Sequence, residues 1–285
     1  MLSISRNEVV LVWILRGMAT ISGAIGLLII VFLCGNAWNV LQAVGLARFW
    51  SDSSWHPTRE QYNLLPMVWG TLLVTLGAVA IATPLGIASA VFCQYYAPSA
   101  IAHIYRRMIE LLAGIPSVVY GFWGLVVLVP IINRLHPPGP SLLAGILILG
   151  LMILPTVALV ADASFASLPA EYRRSSAALG LGPWATVWGV IFPAAKSGLI
   201  TGIILETGRA IGETMAVLMV CGNVVQIPKS IFAPVRTLTA NIALEMAYAT
   251  GNHQGALFVS GLMLMAMVLL LVAIAEAIDR GHIYD

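Results

Sequence analysis

Three ionisable residues stand in an otherwise apolar run. Thr201 to Val217 reads TGIILETGRAIGETMAV, with Glu206, Arg209 and Glu213 set among glycines and aliphatics. On a continuous helix, steps of three and four residues place side chains on one face, so the three charges are expected to neighbour one another. If the segment begins to cross an apolar layer at Gly198, Arg209 lies roughly 16 Å along it, near the middle of a layer about 30 Å thick. An unpaired guanidinium there costs at least about 2.5 kcal/mol. The spacing therefore predicts an ion pair, with Glu213 and Glu206 as the nearest candidates for the counter-charge and Glu213 the one proposed to hold the guanidinium. Such a stripe has two uses: a buried pair that fixes helix register, or an anion contact built on the planar donor fork of Arg209. Thr214 and Ser117 add hydroxyls that could meet an oxyanion or bond a carbonyl of their own helix.

The elements that carry these residues follow from composition. Of 285 residues, 60% are hydrophobic and 9% charged, against about 25% charged in soluble domains. The expected fold is all-α, a polytopic membrane protein with six transmembrane helices. The first span is Gly17 to Leu33, preceded by an interfacial patch Val9 to Leu15 that Arg16 closes. The others are Pro66 to Tyr96, Leu111 to Ile132, Ser141 to Ala161, Gly198 to about Cys221, and Gly255 to Ile278. Trp38, Trp50, Trp55 and Trp69 flank the first two spans at the density of a membrane interface. The pairs Gly198/Gly202 and Gly208/Gly212 predict close helix packing. Thr237 to Tyr248 reads as a short helix with Leu238, Ile242, Ala243 and Met246 turned inward.

Several functions are excluded. A net charge of +2 with no basic run longer than two residues argues against nucleic-acid binding. Cys34, Cys93 and Cys221 and the five histidines have no ligand spacing, so no metal and no cofactor is expected. No glycine-rich loop ending in Lys and Ser or Thr occurs, so ATP chemistry must lie elsewhere. An intramembrane enzyme would need a nucleophile or metal constellation that the chain lacks. Arg6, Arg16, Arg106, Arg107, Arg173, Arg174, Lys196 and Arg280 outnumber Arg48, Arg59, Arg134, Lys229 and Arg236, which predicts both termini in the cytoplasm.

Between spans four and five, Ala170 to Leu179 and Trp184 to Phe192 predict two short helices, separated by Gly180, Gly182 and Pro183 and ended by Pro193. They would form a knob suited to a groove on a partner. This stretch resembles the loop signature of ATP-binding-cassette importer permeases: Glu-Ala-Ala, three residues, Gly, nine residues, then Ile, any residue, Leu, Pro. Gly180 takes the glycine place, and Val190, Phe192 and Pro193 take the closing places. Arg174, Ser175 and Ser176 stand where the signature has Glu-Ala-Ala, with Glu171 one turn earlier. Glu110 to Leu125 (ELLAGIPSVVYGFWGL), Leu154 to Thr156 (LPT), and Gly208 to Val217 followed by Gly222-Asn223 resemble the PstC-type permeases of phosphate-specific importers.

That resemblance covers roughly residues 66–278 and implies the type I importer permease fold. It also implies a PstA-type sister permease, a PstB-type cytoplasmic ATPase dimer, a PstS-type extracytoplasmic phosphate-binding protein, and inorganic phosphate as the substrate. It divides the chain into an N-terminal region of residues 1–65, a permease core 66–278 with coupling helices at 170–192, and a cytoplasmic tail 279–285. Arg209, Glu213, Glu206, Thr214 and Ser117 become the expected translocation residues. Glu171, Arg174, Ala178, Gly180, Val190 and Pro193 become the expected ATPase-coupling residues. A sulfate or molybdate permease of the same architecture and a stand-alone secondary anion transporter are the alternatives. Either way the protein sits in membrane lipid and is not itself an enzyme.

Overall fold

A computed structural model describes residues 6–280; the end of the expected tail, 281–285, lies outside the described residues. Helix α1 (Arg6–Val44) leads to a short α2 (Arg48–Ser51) and a minimal antiparallel hairpin, β1 (Trp55–His56) and β2 (Gln61–Tyr62). Then follow α3 (Leu65–Val91), α4 (Ser99–Ala113), α5 (Ser117–Trp123), α6 (Val129–Leu135) and α7 (Leu142–Ala166). The chain continues through α8 (Ala170–Ala178), α9 (Pro183–Thr186), α10 (Phe192–Ile211), α11 (Met215–Val220), α12 (Leu238–Glu245) and α13 (Gly251–Arg280). Among the described residues, six helical stretches are long and apolar enough to cross a membrane: Val9–Val44, Leu65–Tyr96, Ser117–Leu135, Leu142–Ala166, Pro183–Ile211 and Gly251–Ile274.

Several boundaries differ from expectation. Arg16 does not divide Val9 to Leu15 from the first span, because α1 runs through it as one helix of 39 residues. At about 1.5 Å per residue that rod is roughly 58 Å long, well beyond a layer of about 30 Å. Among its described side chains, those of the C-terminal half do the packing, with Ala37 and Val40 buried and Phe32 edge-on to Phe258 of α13 at 5.6 Å. The third span starts at Ser117, since Leu111 to Ala113 end the separate amphipathic helix α4.

Pro193 does not end a helix either. A π-helical turn, Val187–Ile191, joins α9 to α10, so the second half of the expected knob and the fifth span form one rod from Pro183 to Ile211. The same pattern recurs: the π-turns Phe92–Tyr96 and Gly124–Leu128 are each followed two residues later by a proline, Pro98 and Pro130. Proline has no N–H to give and its ring crowds the preceding turn, and a widened turn accommodates both defects.

Helix α7 is the hub. More than half of its most apolar stretch is inside the protein, whereas the corresponding stretch of α1 is not buried at all. Its broadest partner is α3, where Gly86 lies under Val157 and Ala158 and Gly150 lies against Ala78. The middle of the bundle is filled by Val74, Ile148, Leu149, Ile153, Val217 and Val220. At one end Ala90, Ala161, Phe165, Ile191, Ala195 and Leu199 cluster, and at the other Val40, Phe49, Tyr62, Leu64, Met67 and Leu257.

Candidate functional site

Helix α10 does not continue through Glu213. It stops at Ile211, Gly212 forms its C-terminal cap, and the chain restarts as α11 at Met215. Glu213 turns its carboxylate forward, and its Oε1 accepts from the Ala216 amide at 3.2 Å, a cap on the new helix. Its carbonyl is held by α12, whose buried Thr239 donates Oγ1–H to Glu213 O at 2.8 Å. At the far end of α11, Gly222 takes the left-handed conformation (φ +84°) and Asn223 donates its side-chain amide to the free Leu218 carbonyl at 2.7 Å.

The break reverses the expected pairing. Glu213 is not the counter-ion of Arg209, because without a continuous helix the step from 209 to 213 is not one turn. The carboxylate beside Arg209 is Glu206, with Nη1 to Oε2 at 3.8 Å. Arg209 also sits in the last turn of α10, where the unpaired carbonyls carry partial negative charge, and Glu213 precedes the partially positive N-terminus of α11. Each charge therefore stands at the helix end of opposite sign. The Arg209 side chain is 47% exposed and that of Glu206 only 12%. Glu206 is anchored to α7, since Thr156 Oγ1 lies 2.6 Å from the same Oε2.

The other expected residues are placed as follows. Thr214 bonds a carbonyl, Gly212 O, at 3.3 Å. Ser117 opens α5 one turn before Gly121, which packs directly on Ala216, but its hydroxyl makes no hydrogen bond with the described residues. Gly198 and Gly202 do pack closely, against Ser164 and Val160 of α7; Gly208 has no neighbour within 4 Å, and Gly212 faces only its own helix, so that pair makes no packing face within this chain. In α12, Leu238 is buried but Ala243 is exposed, because the inward face is polar, with Thr239, Asn241 and Glu245 buried.

The coupling residues lie on an exposed projection. Glu171, Arg174, Ala178 and Gly180 face solvent, with Val190 half-buried and Pro193 exposed. Gly180 is left-handed (φ +71°), with Gly180 N–H to Ala177 O and Leu181 N–H to Ser176 O, both 3.0 Å, closing α8 in a Schellman turn. Arg173 of α8 lies over the Tyr95 ring at 5.4 Å. Nearby, Arg106 makes a two-pronged bond to Asp162 at 2.9 and 3.1 Å, which raises the guanidinium pKa above its ordinary value.

Sequence reasoning missed two things. Thr156 is visible there only as a member of the LPT motif, and its role needs a partner 50 residues away. A second charged cluster surrounds the buried Glu245: Trp55 Nε1 donates to Oε2 at 2.9 Å, His253 Nε2 lies 2.8 Å from that oxygen, and Arg236 Nη1 donates to Oε1 at 2.7 Å. Arg236 also donates to Asn241 Oδ1 and Asn223 O. Cavities of about 590 and 420 Å³ flank Glu245.

Residues 82–283 match the family model described as the inner membrane component of binding-protein-dependent transport systems. A probable ABC transporter permease, YqgH of Bacillus subtilis, is 39% identical across 88% of this chain and 84% of its own length. The phosphate transport system permease protein PstC of Mesorhizobium japonicum is 34% identical, covering 95% and 86%. Among solved structures, a bacterial ABC transporter for alginate import aligns with a TM-score of 0.66 at 14% identity, over 94% of this chain and 95% of that one. An inward-facing methionine ABC transporter aligns at 0.62 and 19%, over 76% and 95%. These two likenesses bear on the fold, which is that of importer permeases.

Proposed function

This chain belongs to the inner membrane components of binding-protein-dependent transport systems, and from its likeness to PstC permeases we infer that it carries inorganic phosphate across the cytoplasmic membrane as the PstC-type permease of an ATP-driven importer. It is a multi-pass membrane protein and not itself an enzyme; an ATPase and a substrate-binding protein are its partners. In this reading the ATPase is a PstB-type dimer, the binding protein is PstS-type, and a PstA-type permease completes the membrane assembly. Residues 66–278 are the permease core, with 1–65 before it, and both termini face the cytoplasm.

The observation that carries the substrate is Arg209. A guanidinium half-open to its surroundings, on a membrane-crossing helix and only loosely held by its nearest carboxylate, is poised to meet an oxyanion with its free donors. Its openness in the single chain supports a path between this permease and its sister. Glu213 keeps an anion from settling there, and Glu206 pairs loosely with Arg209. Thr214, in the same break, and Ser117, at the start of α5, supply hydroxyls. The exposed projection at 170–192, with Glu171, Arg174, Ala178, Gly180, Val190 and Pro193, enters a groove on the ATPase. The rod from Pro183 to Ile211 then carries the movement of the knob straight to Arg209, alternating access to it.

The test is purification of the tagged chain with its partners and reconstitution in proteoliposomes. Uptake of labelled phosphate that requires ATP and the binding protein is expected. Uptake of sulfate or molybdate with no phosphate uptake, or a preparation with no ATPase, would overturn the reading.

A further inference from the structure

We propose that Thr156 is a positioning residue that decides how tightly Glu206 holds Arg209, and so keeps the guanidinium open to the passing anion. The inference rests on the reading of Arg209 as the phosphate-facing group. Its basis is one oxygen with two suitors. Glu206 Oε2 is 2.6 Å from Thr156 Oγ1 and 3.8 Å from Arg209 Nη1. The first is a short hydrogen bond to a charged acceptor, and the second is too long to be a hydrogen bond at all. The ion pair is thus held slack from the side of α7, and the slack is what leaves the donor fork of Arg209 uncommitted.

The hydroxyl is itself fixed in place. Thr156 Oγ1 lies 2.8 Å from Ile153 O, one turn back on α7, while α7 is the hub against which α10 packs through Gly198 and Gly202. A threonine hydroxyl has one hydrogen to give. Given to Glu206, it draws the carboxylate toward α7 and away from Arg209. Given to the Ile153 carbonyl, it releases Glu206, whose carboxylate then turns onto the guanidinium and competes with an oxyanion for the same N–H groups. The two arrangements differ by a rotation of one hydroxyl. Thr156 is therefore a latch on the strength of an ion pair to which it does not belong.

The test measures phosphate imported per ATP hydrolysed by the reconstituted full importer with saturating phosphate-loaded binding protein. Thr156→Val is expected to lower this ratio about tenfold, the scale of one hydrogen bond to a charged group, with stimulated ATP hydrolysis retained. Thr156→Ser keeps the hydroxyl and should stay within about twofold of wild type on the same scale. Adding Glu206→Gln to Thr156→Val should restore import, because the released side chain no longer carries the charge that captures Arg209. A packing defect would not be relieved by that second change. Should Thr156→Val fail to assemble, Thr156→Ala, which adds no methyl group, carries the same expectations. A wild-type ratio in the Val or Ala variant overturns the proposal, as does a defect that Glu206→Gln leaves in place. If Arg209→Lys imports normally, the earlier reading of Arg209 fails instead, and this inference falls with it.

Discussion

Arg209 illustrates how one residue is made tolerable in an apolar surrounding without being neutralised. The broken helix leaves it in the last turn of α10, where the C-terminal end of the helix supplies partial negative charge that no side chain has to provide. Glu206 adds a charge at 3.8 Å, close enough to attract and too far to occupy the donors. A lysine in the same place keeps the charge but loses the planar fork. Arg209→Lys is therefore expected to assemble normally and to lose about tenfold or more in phosphate import, in line with the loss of a bidentate charged contact; uptake by proteoliposomes checks it. The presence of charges on this helix could be read from the amino-acid order. Their pairing could not, because the identity of the partner depends on Gly212 ending the helix and on Thr239, 26 residues later, holding the freed Glu213 carbonyl.

At the scale of elements, glycine decides two contacts. Gly202 sits so close to Val160 that a side chain there would run into the valine methyl, and either Val160 or α10 must shift. Gly202→Val should destabilise the assembled protein by about 1–3 kcal/mol, read as a lowered unfolding temperature in detergent. Gly180 has the opposite situation, with open space around it but a left-handed backbone. Gly180→Ala should strain the α8 turn by about 1–2 kcal/mol, leaving the unfolding temperature of the membrane bundle unchanged while weakening stimulation of the ATPase by the loaded binding protein. The spans were legible from hydropathy, and the Gly198/Gly202 contact from small-residue spacing, since both are local patterns, although the same spacing at Gly208/Gly212 marks no contact within this chain. The joins were not: Pro193 reads as a stop in the amino-acid order, whereas a π-turn two residues before it lets the rod pass through. The proline is visible in the sequence, but whether its missing N–H ends the helix or is absorbed by a widened turn is not.

For the whole molecule, the six spans and the solvent-facing projection define a polarity that a labelling experiment can read. With the native cysteines replaced, a cysteine at Asn252 should react with an impermeant maleimide on intact cells, and one at Gly182 only after permeabilisation; the reverse pattern would invert the proposed topology. The cluster around Glu245 is invisible in the sequence because Trp55 stands 190 residues before Glu245, and Arg236, Glu245 and His253, nine and eight residues apart, meet only when the chain around α12 folds back on itself. Its place matters for how the molecule behaves as a mechanism. Helix α12, about 12 Å long, is fastened near its start to the Glu213 carbonyl and at its last residue to the hairpin and α13. It is a strut tied at both ends, so a shift of α12 at the cavities beside Glu245 pulls, one short helix away, on the Glu213 carbonyl in the gap between α10 and α11.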